Sequence, residues 1–176
     1  MRKGGLILTI IAVISCIVLA IVFLQPRPAV EPVFTPQTAP VVIVEPAVVE
    51  TIPGVLQSVN DYRASKGLPL LNLNAELTAS ANAKAIDLTT KQYWSHISPE
   101  GVEPWSFFID AGYIYSVAAE NLARCFATSE SIVNGWIKSP IHESVLTGDY
   151  NDVGFGTATN AQDSCEYVVG HFGSHR

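Results

Sequence analysis

The sequence predicts an α+β domain in which helices pack on an antiparallel sheet, joined to an apolar N-terminal segment by a proline-rich spacer. Three observations carry this. Helical periodicity dominates the middle of the chain, alternating runs suited to strands come late, and no strand–helix–strand repeat intervenes. Composition adds to these three. Of 176 residues, 48% are hydrophobic and only 15% charged, so the apolar residues must be unevenly distributed.

They are concentrated at the start. Residues 6–24 read LILTIIAVISCIVLAIVFL without a charge, about the length that crosses a bilayer as a helix. Arg2 and Lys3 precede this run and predict a cytoplasmic N-terminus with everything downstream outside the membrane. A cleaved signal would have a shorter apolar core and a small-x-small site, which would leave the protein secreted. Val13-Ile14-Ser15-Cys16 resembles a lipoprotein box, with Cys16 as the lipidated residue, but eight more apolar residues follow it. A retained anchor over 1–24 is the favoured reading. Residues 25–50 contain Pro26, Pro28, Pro32, Pro36, Pro40 and Pro46 without glycine. They read as a semi-rigid, extended spacer reaching up to roughly 80 Å. The run Val41-Val42-Ile43-Val44 could instead add a strand to a partner.

The globular domain is expected over 51–176. Val55, Leu56, Val59 and Tyr62 recur at helical spacing until Gly67 and Pro69 stop them. Asn74 is a good N-cap for a second helix, whose apolar face is Leu77, Ala81, Ala85 and Leu88, ending near Lys91. Its alanines predict close approach to a neighbour. A Pro-, Gly- and Ser-rich loop from Tyr93 carries His96, and Pro104 opens a short helix that Gly112 ends. Tyr113 to Ala118 alternates like a strand and delivers Glu120 at its end. Thr128 or Ser129 caps a helix through Trp136, which Pro140 interrupts just before His142. Val153–Thr159 and Glu166–Phe172 read as two final strands around a polar turn.

The net charge is −6, and the part beyond residue 50 carries all of it, because Arg2, Lys3 and Arg27 offset Glu31, Glu45 and Glu50. An acidic domain without a basic stripe is a poor nucleic-acid binder. On the oxidising side of a membrane, Cys125 and Cys165 are expected to pair as a disulfide. In a reducing setting they would be two buried thiols.

Together the motifs resemble the CAP superfamily: the SCP domain of cysteine-rich secretory, antigen 5 and pathogenesis-related proteins, in its bacterial form. They are Asn60-Asp-Tyr-Arg63, Gly67-Leu-Pro-Leu70, Trp94-Ser-His96, Ser98-Pro-Glu-Gly101, Ala111-Gly-Tyr113, Ala119-Glu-Asn-Leu-Ala123, Trp136-x-x-Ser-Pro-x-His142 and Val153-Gly-Phe-Gly156. The resemblance implies an α-β-α sandwich with a central antiparallel sheet and a cleft lined by His96, Glu120 and His142. Relatives outside bacteria often carry a second glutamate three residues after the tryptophan. Here that position is Ser139, so the four-residue cluster is incomplete.

Two neutral imidazoles and a carboxylate could hold Zn²⁺ or another divalent ion, with Glu120 as ligand, base or orienter. The same three could serve acid–base chemistry without a metal, or simply tie loops together. Binding of a ligand or surface partner at the envelope is the leading expectation. A hydrolase of peptides or envelope polymers and a carrier of small apolar ligands are the alternatives. Ser98 and Ser139 are expected to cap rather than to act as nucleophiles. Glu100 and Glu103 are expected at the surface, and Trp94, Trp105 and Trp136 in the core. His171 and His175 lie in a strand running into a Gly-rich tail and are expected to be solvated.

Overall fold

The structure is a computed structural model that describes residues 48–176. The expected membrane span at 6–24 and nearly all of the spacer lie outside those residues. Among the described residues, no helix is long and apolar enough to cross a membrane.

The elements run in the order α1 (Val48–Ser65), β1 (Asn72–Leu73), α2 (Ala75–Thr90), α3 (Pro104–Asp110) and β2 (Tyr115–Arg124). They continue with α4 (Ser129–Ile137), α5 (Pro140–Leu146), β3 (Asp152–Thr159) and β4 (Glu166–His175). The helix ends follow local chemistry. The Asn74 side chain accepts from the Leu77 N–H to start α2, and Thr128 and Ser131 form a reciprocal capping box on α4. Pro140 does not merely interrupt a helix. It opens α5, whose first turn has no N–H to lose there and which carries His142.

The sheet order is β1-β3-β4-β2. β2–β4 and β3–β4 are antiparallel, but β1 pairs with β3 in parallel through Asn72↔Asp152 and Leu73↔Val153. The sheet is therefore mixed, which corrects the antiparallel expectation. A two-residue strand leaves too weak an alternation to be read, and the Asn74 N–H bond to Val153 O fixes it only once β3 is in place. β2 also differs from expectation. It begins at Tyr115 and continues to Arg124, so Glu120 sits in mid-strand rather than at a strand end.

Two layers of helix cover this sheet. Val55 and Val59 of α1, Ile132, Val133 and Trp136 of α4 and Leu146 of α5 pack with Val153, Phe155, Val168 and Phe172 on one face. Ala81, Ala85 and Leu88 of α2 pack with Leu122, Tyr167 and Val169 on the other. The alanine face of α2 meets glycines. A Cβ built on Gly154 would fall 2.1 Å from the Leu77 carbonyl carbon, and one on Gly156 would fall 2.3 Å from that of Ala81. Helix and strand backbones are thus in direct contact, which only a side-chain-free position allows.

Arg63 is 1% exposed and spends its donors on three carbonyls: Nε on Pro69 and Nη1 on Leu146 and Gly148, at 2.8–2.9 Å. It thereby ties the end of α1 to the loop after α5. The expected disulfide is present, joining Cys125 to Cys165 across 40 residues. It closes the end of β2 onto the β3–β4 turn.

Gly156→Ala is expected to lower unfolding stability by more than about 3 kcal/mol, because helix backbone cannot yield as a side chain would. Urea denaturation checks it. Cys125→Ser together with Cys165→Ser is expected to cost about 2–5 kcal/mol, read the same way, with far-UV dichroism unchanged in the folded baseline.

Candidate functional site

β2 and β4 bring the chemistry together. Their register sets Glu120 opposite His171, and side chains of paired residues share a face. That face is the one α2 and α3 cover. His171 Nε2 lies 2.9 Å from Glu120 Oε2, and Ser80 Oγ on α2 lies 2.7 Å from His171 Nδ1. Phe108 of α3 stacks on the imidazole at 4.3 Å between centroids. From the loop after α2, His96 Nδ1 approaches the other carboxylate oxygen, Glu120 Oε1, at 2.6 Å.

A single arrangement of protons satisfies this chain. Glu120 as a carboxylate can only accept, so His96 donates from Nδ1 and His171 from Nε2. His171 Nδ1 is then free to accept from the Ser80 hydroxyl. The His96 tautomer follows, with Nε2 left bare and pointing away from the carboxylate. Exposure separates the roles: the His96 side chain is 51% exposed, while those of Glu120 and His171 are 2% and 0%.

The electrostatics agree. Burial alone would raise the Glu120 carboxyl, but the bonds donated by His171 and His96, with the Lys84 charge nearby, hold it below the usual range. Burial pushes His171 down, against the pull of Glu120, and keeps it neutral. His142 is also lowered, by burial first and then by the neighbouring His96. Lys84 is fully buried, and its ammonium is lowered by burial, partly offset by Glu120 and Asp87. Its Nζ donates to the His96 carbonyl at 2.7 Å and to the Tyr93 hydroxyl at 2.9 Å. That hydroxyl in turn donates to Asp87. Lys84 is therefore the post to which the His96 loop is tied.

A cleft of about 380 Å³ opens at His96 and Glu120, walled by Ile97, Pro104, Trp105, Ala118, Ala119 and Val145, with Glu103 at its rim. It is largely apolar. His142 is half-buried on α5, three residues before Val145. Its carbonyl accepts from Asn121 Nδ2 at 3.0 Å, which fastens α5 to β2.

The structure thus joins His96 to Glu120 and places His142 within electrostatic range of the His96 ring. It does not make Glu120 a free ligand, because both its oxygens are already engaged. His171 is not solvated as expected but is fully buried. The signal was available: Val168-Val169-Gly170-His171-Phe172 is an apolar run broken only by the histidine, which marks a strand covered on both faces. His175 is half-exposed and 3.7 Å from Glu76, as expected of a surface group. Ser80 and Lys84 had no such signal within their alanine-rich helix. Ser80 is sealed in the core, so the Ser80–His171–Glu120 chain is not a nucleophile with its base.

Among the tryptophans, Trp136 is core, Trp105 lines the cleft, and Trp94 is 37% exposed beside Arg124. Ser98 caps its own turn by accepting from the N–H groups of Glu100 and Val102. Ser139 stands at the N-cap of α5 without a side-chain bond. Glu100 pairs with Lys91 at the surface. The one grouping of three possible ligand atoms within 4.8 Å among the described residues is Cys125, Asp163 and Cys165. Its two sulfurs are bonded to each other, so neither is available as a thiolate.

Helices on both faces of a small mixed sheet, with a histidine–glutamate cleft at its edge, define an α+β sandwich of the SCP type. The sequence model of the CAP, or cysteine-rich secretory protein, family matches residues 56–172, and the chain belongs to that family. It is 32% identical over 117 residues to YkwD of Bacillus subtilis, covering 66% of this chain. It spans only 46% of that relative's length. Among solved structures it resembles an outer surface protein of Borrelia burgdorferi, with TM-score 0.63 and 22% identity over 69% of this chain and 90% of that one. It also resembles an extracellular SCP-domain protein of Bacillus anthracis, with TM-score 0.64 and 20% identity over 72% and 41%. At those identities the likeness is one of fold.

The site fixes the sign of a pH dependence. His171 is held neutral in the folded state, whereas in the unfolded chain it protonates near pH 6.5. Stability is therefore complete above that value and falls as pH drops below it, by at most about 1.4 kcal/mol per unit for this group. His171→Asn is expected to flatten that part of the profile, measured by urea unfolding between pH 7 and 5. Glu120 adds a second loss at lower pH. Its stabilisation is present above about pH 4.3 and disappears as pH falls through its depressed folded value, and Glu120→Gln removes that loss.

Proposed function

We propose that this is an extracytoplasmic binding domain whose apolar cleft receives a ligand or surface partner against the face of His96. One observation carries the reading. Glu120 is buried and committed to two imidazoles, so it presents neutral His96, a residue of the cleft lining, with a fixed tautomer and an uncommitted Nε2. The Cys125–Cys165 disulfide supports an oxidising location, as does the extracellular description of the Bacillus anthracis protein. Residues 6–24 would tether the domain and 25–50 would hold it away from the bilayer.

A divalent cation is part of this proposal on the chemistry of the donors alone. His96 Nε2 and the ring of His142 would hold it, both as neutral imidazoles, while Glu120 stays outside as the orienting carboxylate. Such an ion would offer an open position for an anionic group of the ligand. A second reading, acid–base hydrolysis, is favoured by the 2.6 Å His96–Glu120 pair, which is the geometry of a base with its orienter.

Zinc titration of the full chain is expected to give one ion per molecule near pH 7.5. His96→Ala is expected to abolish it, and Glu120→Gln to weaken it about 10- to 100-fold. No binding in the parent protein would remove the cation from the proposal. Turnover of a peptide or wall polymer that Glu120→Gln abolishes would replace binding with hydrolysis.

A further inference from the structure

β2 is one of the two edge strands of the sheet, and the described residues cover only part of its free edge. Hydrogen-bond parity shows which part. Cys125 N–H donates to the Glu166 carbonyl on β4 at 3.1 Å, and the β2–β4 register runs without a shift from Val117 to Arg124. The odd-numbered residues of β2 therefore turn their N–H and C=O groups toward β4, and the even-numbered ones turn theirs away. Leu122 confirms the parity, since its outward carbonyl accepts from Trp136 Nε1 at 2.9 Å. That indole closes the edge at Leu122.

Two residues earlier the edge is open. The N–H and C=O groups of Ala118 and Glu120 point outward by the same parity. No hydrogen bond among the described residues takes up any of the four. Glu120 is 7% exposed as a residue but only 2% in its side chain, so what solvent reaches is its main chain. The consecutive residues Ala118, Ala119 and Glu120 all line the cleft, which means that the cleft runs along the open edge. A free strand edge is normally blunted by charge, proline or a covering element. Here the methyl groups of two alanines keep it accessible.

We infer that the cleft takes an extended peptide segment of a partner protein, which adds to β2 as a short further strand. The inference rests on the binding reading above and names the ligand class for it. Main-chain bonds to Ala118 and Glu120 supply the affinity. Alternate side chains of the peptide face Pro104 and Trp105 on one wall and Val145 on the other, so apolar residues are selected there. Glu103, on a chain of net charge −6, selects against acidic peptides and favours a basic residue beside it. Trp136 limits the added strand, which must end opposite Leu122.

The test pans a random heptapeptide phage library against the immobilised full chain. Each backbone amide of a selected synthetic peptide is then methylated in turn. Methylation at alternate positions is expected to weaken binding about tenfold or more, with the intervening positions tolerant, since strand addition uses every second N–H. Amide exchange at Ala118 and Glu120 is expected to slow on binding, with Ala119 and Asn121 unaltered. Ala118→Pro deletes one outward N–H without touching the β4 ladder and is expected to weaken the same peptide. Failure to enrich any peptide, indifference to methylation at every position, or displacement of the peptide by palmitate without protection of Ala118 and Glu120 would overturn the inference. His96→Ala separates the two readings. Peptide binding that survives it with alternate-position sensitivity leaves strand addition standing and removes His96 from ligand recognition. Loss on His96→Ala with no methylation pattern does the reverse.

Discussion

A carboxylate with almost no access to water has to be compensated, and in this domain the compensation of Glu120 builds the site. Leaving such a group unpaired would cost several kcal/mol. It is met instead by two imidazole N–H donors and by the Lys84 charge within the same core region. Each partner arrives from a different part of the chain: His171 from β4, His96 from the loop after α2, Lys84 from α2 itself. The pairing thus joins sheet, helix and loop in one place. It also sets which nitrogen of His96 is free. Structure and chemistry are the same interaction seen from two sides.

Close backbone packing makes this possible. Gly154 and Gly156 let α2 lie directly on β3, which brings Ser80 within reach of His171 and Lys84 beneath the His96 loop. Arg63 and Asn121 do comparable work on the opposite face by holding the segments around α5 to α1 and β2. The cleft lies between these two anchored layers, at the margin of the sheet. Its floor is main chain and alanine, and its walls come from α3 and α5. Its position is therefore a consequence of how far the helical layers extend beyond β2.

Much of this was legible in the residues. The Asn74 cap, the Thr128 cap, the alanine face of α2 and the two late strands follow from local rules, and the elements form where those rules place them. Cys125 and Cys165 pair as an oxidising location predicts. His96 and Glu120 meet because the motifs that carry them belong to a family arrangement. What escaped was non-local. β1 is two residues long and has no pattern of its own. Glu120 was expected at a strand end because the alternation weakens through Ala118 and Ala119, where small side chains carry little signal. His171 looked like the start of a polar tail because its hydrogen-bond partners, Glu120 and Ser80, are 51 and 91 residues away.

By itself the sequence determined the class of fold, most of its elements and the motifs that carry the cleft histidine and glutamate. Each of these depends on periodicity, capping chemistry or a motif contained within a short stretch. Only the tertiary structure decided that Glu120 serves two histidines, that Lys84 anchors the His96 loop and that, among the described residues, the edge of β2 stays open beside Trp136. Those facts depend on strand register and on which layer covers which face. Both are set by contacts between residues far apart in the chain, where burial and hydrogen-bond satisfaction select one pairing from many that local preference leaves equal.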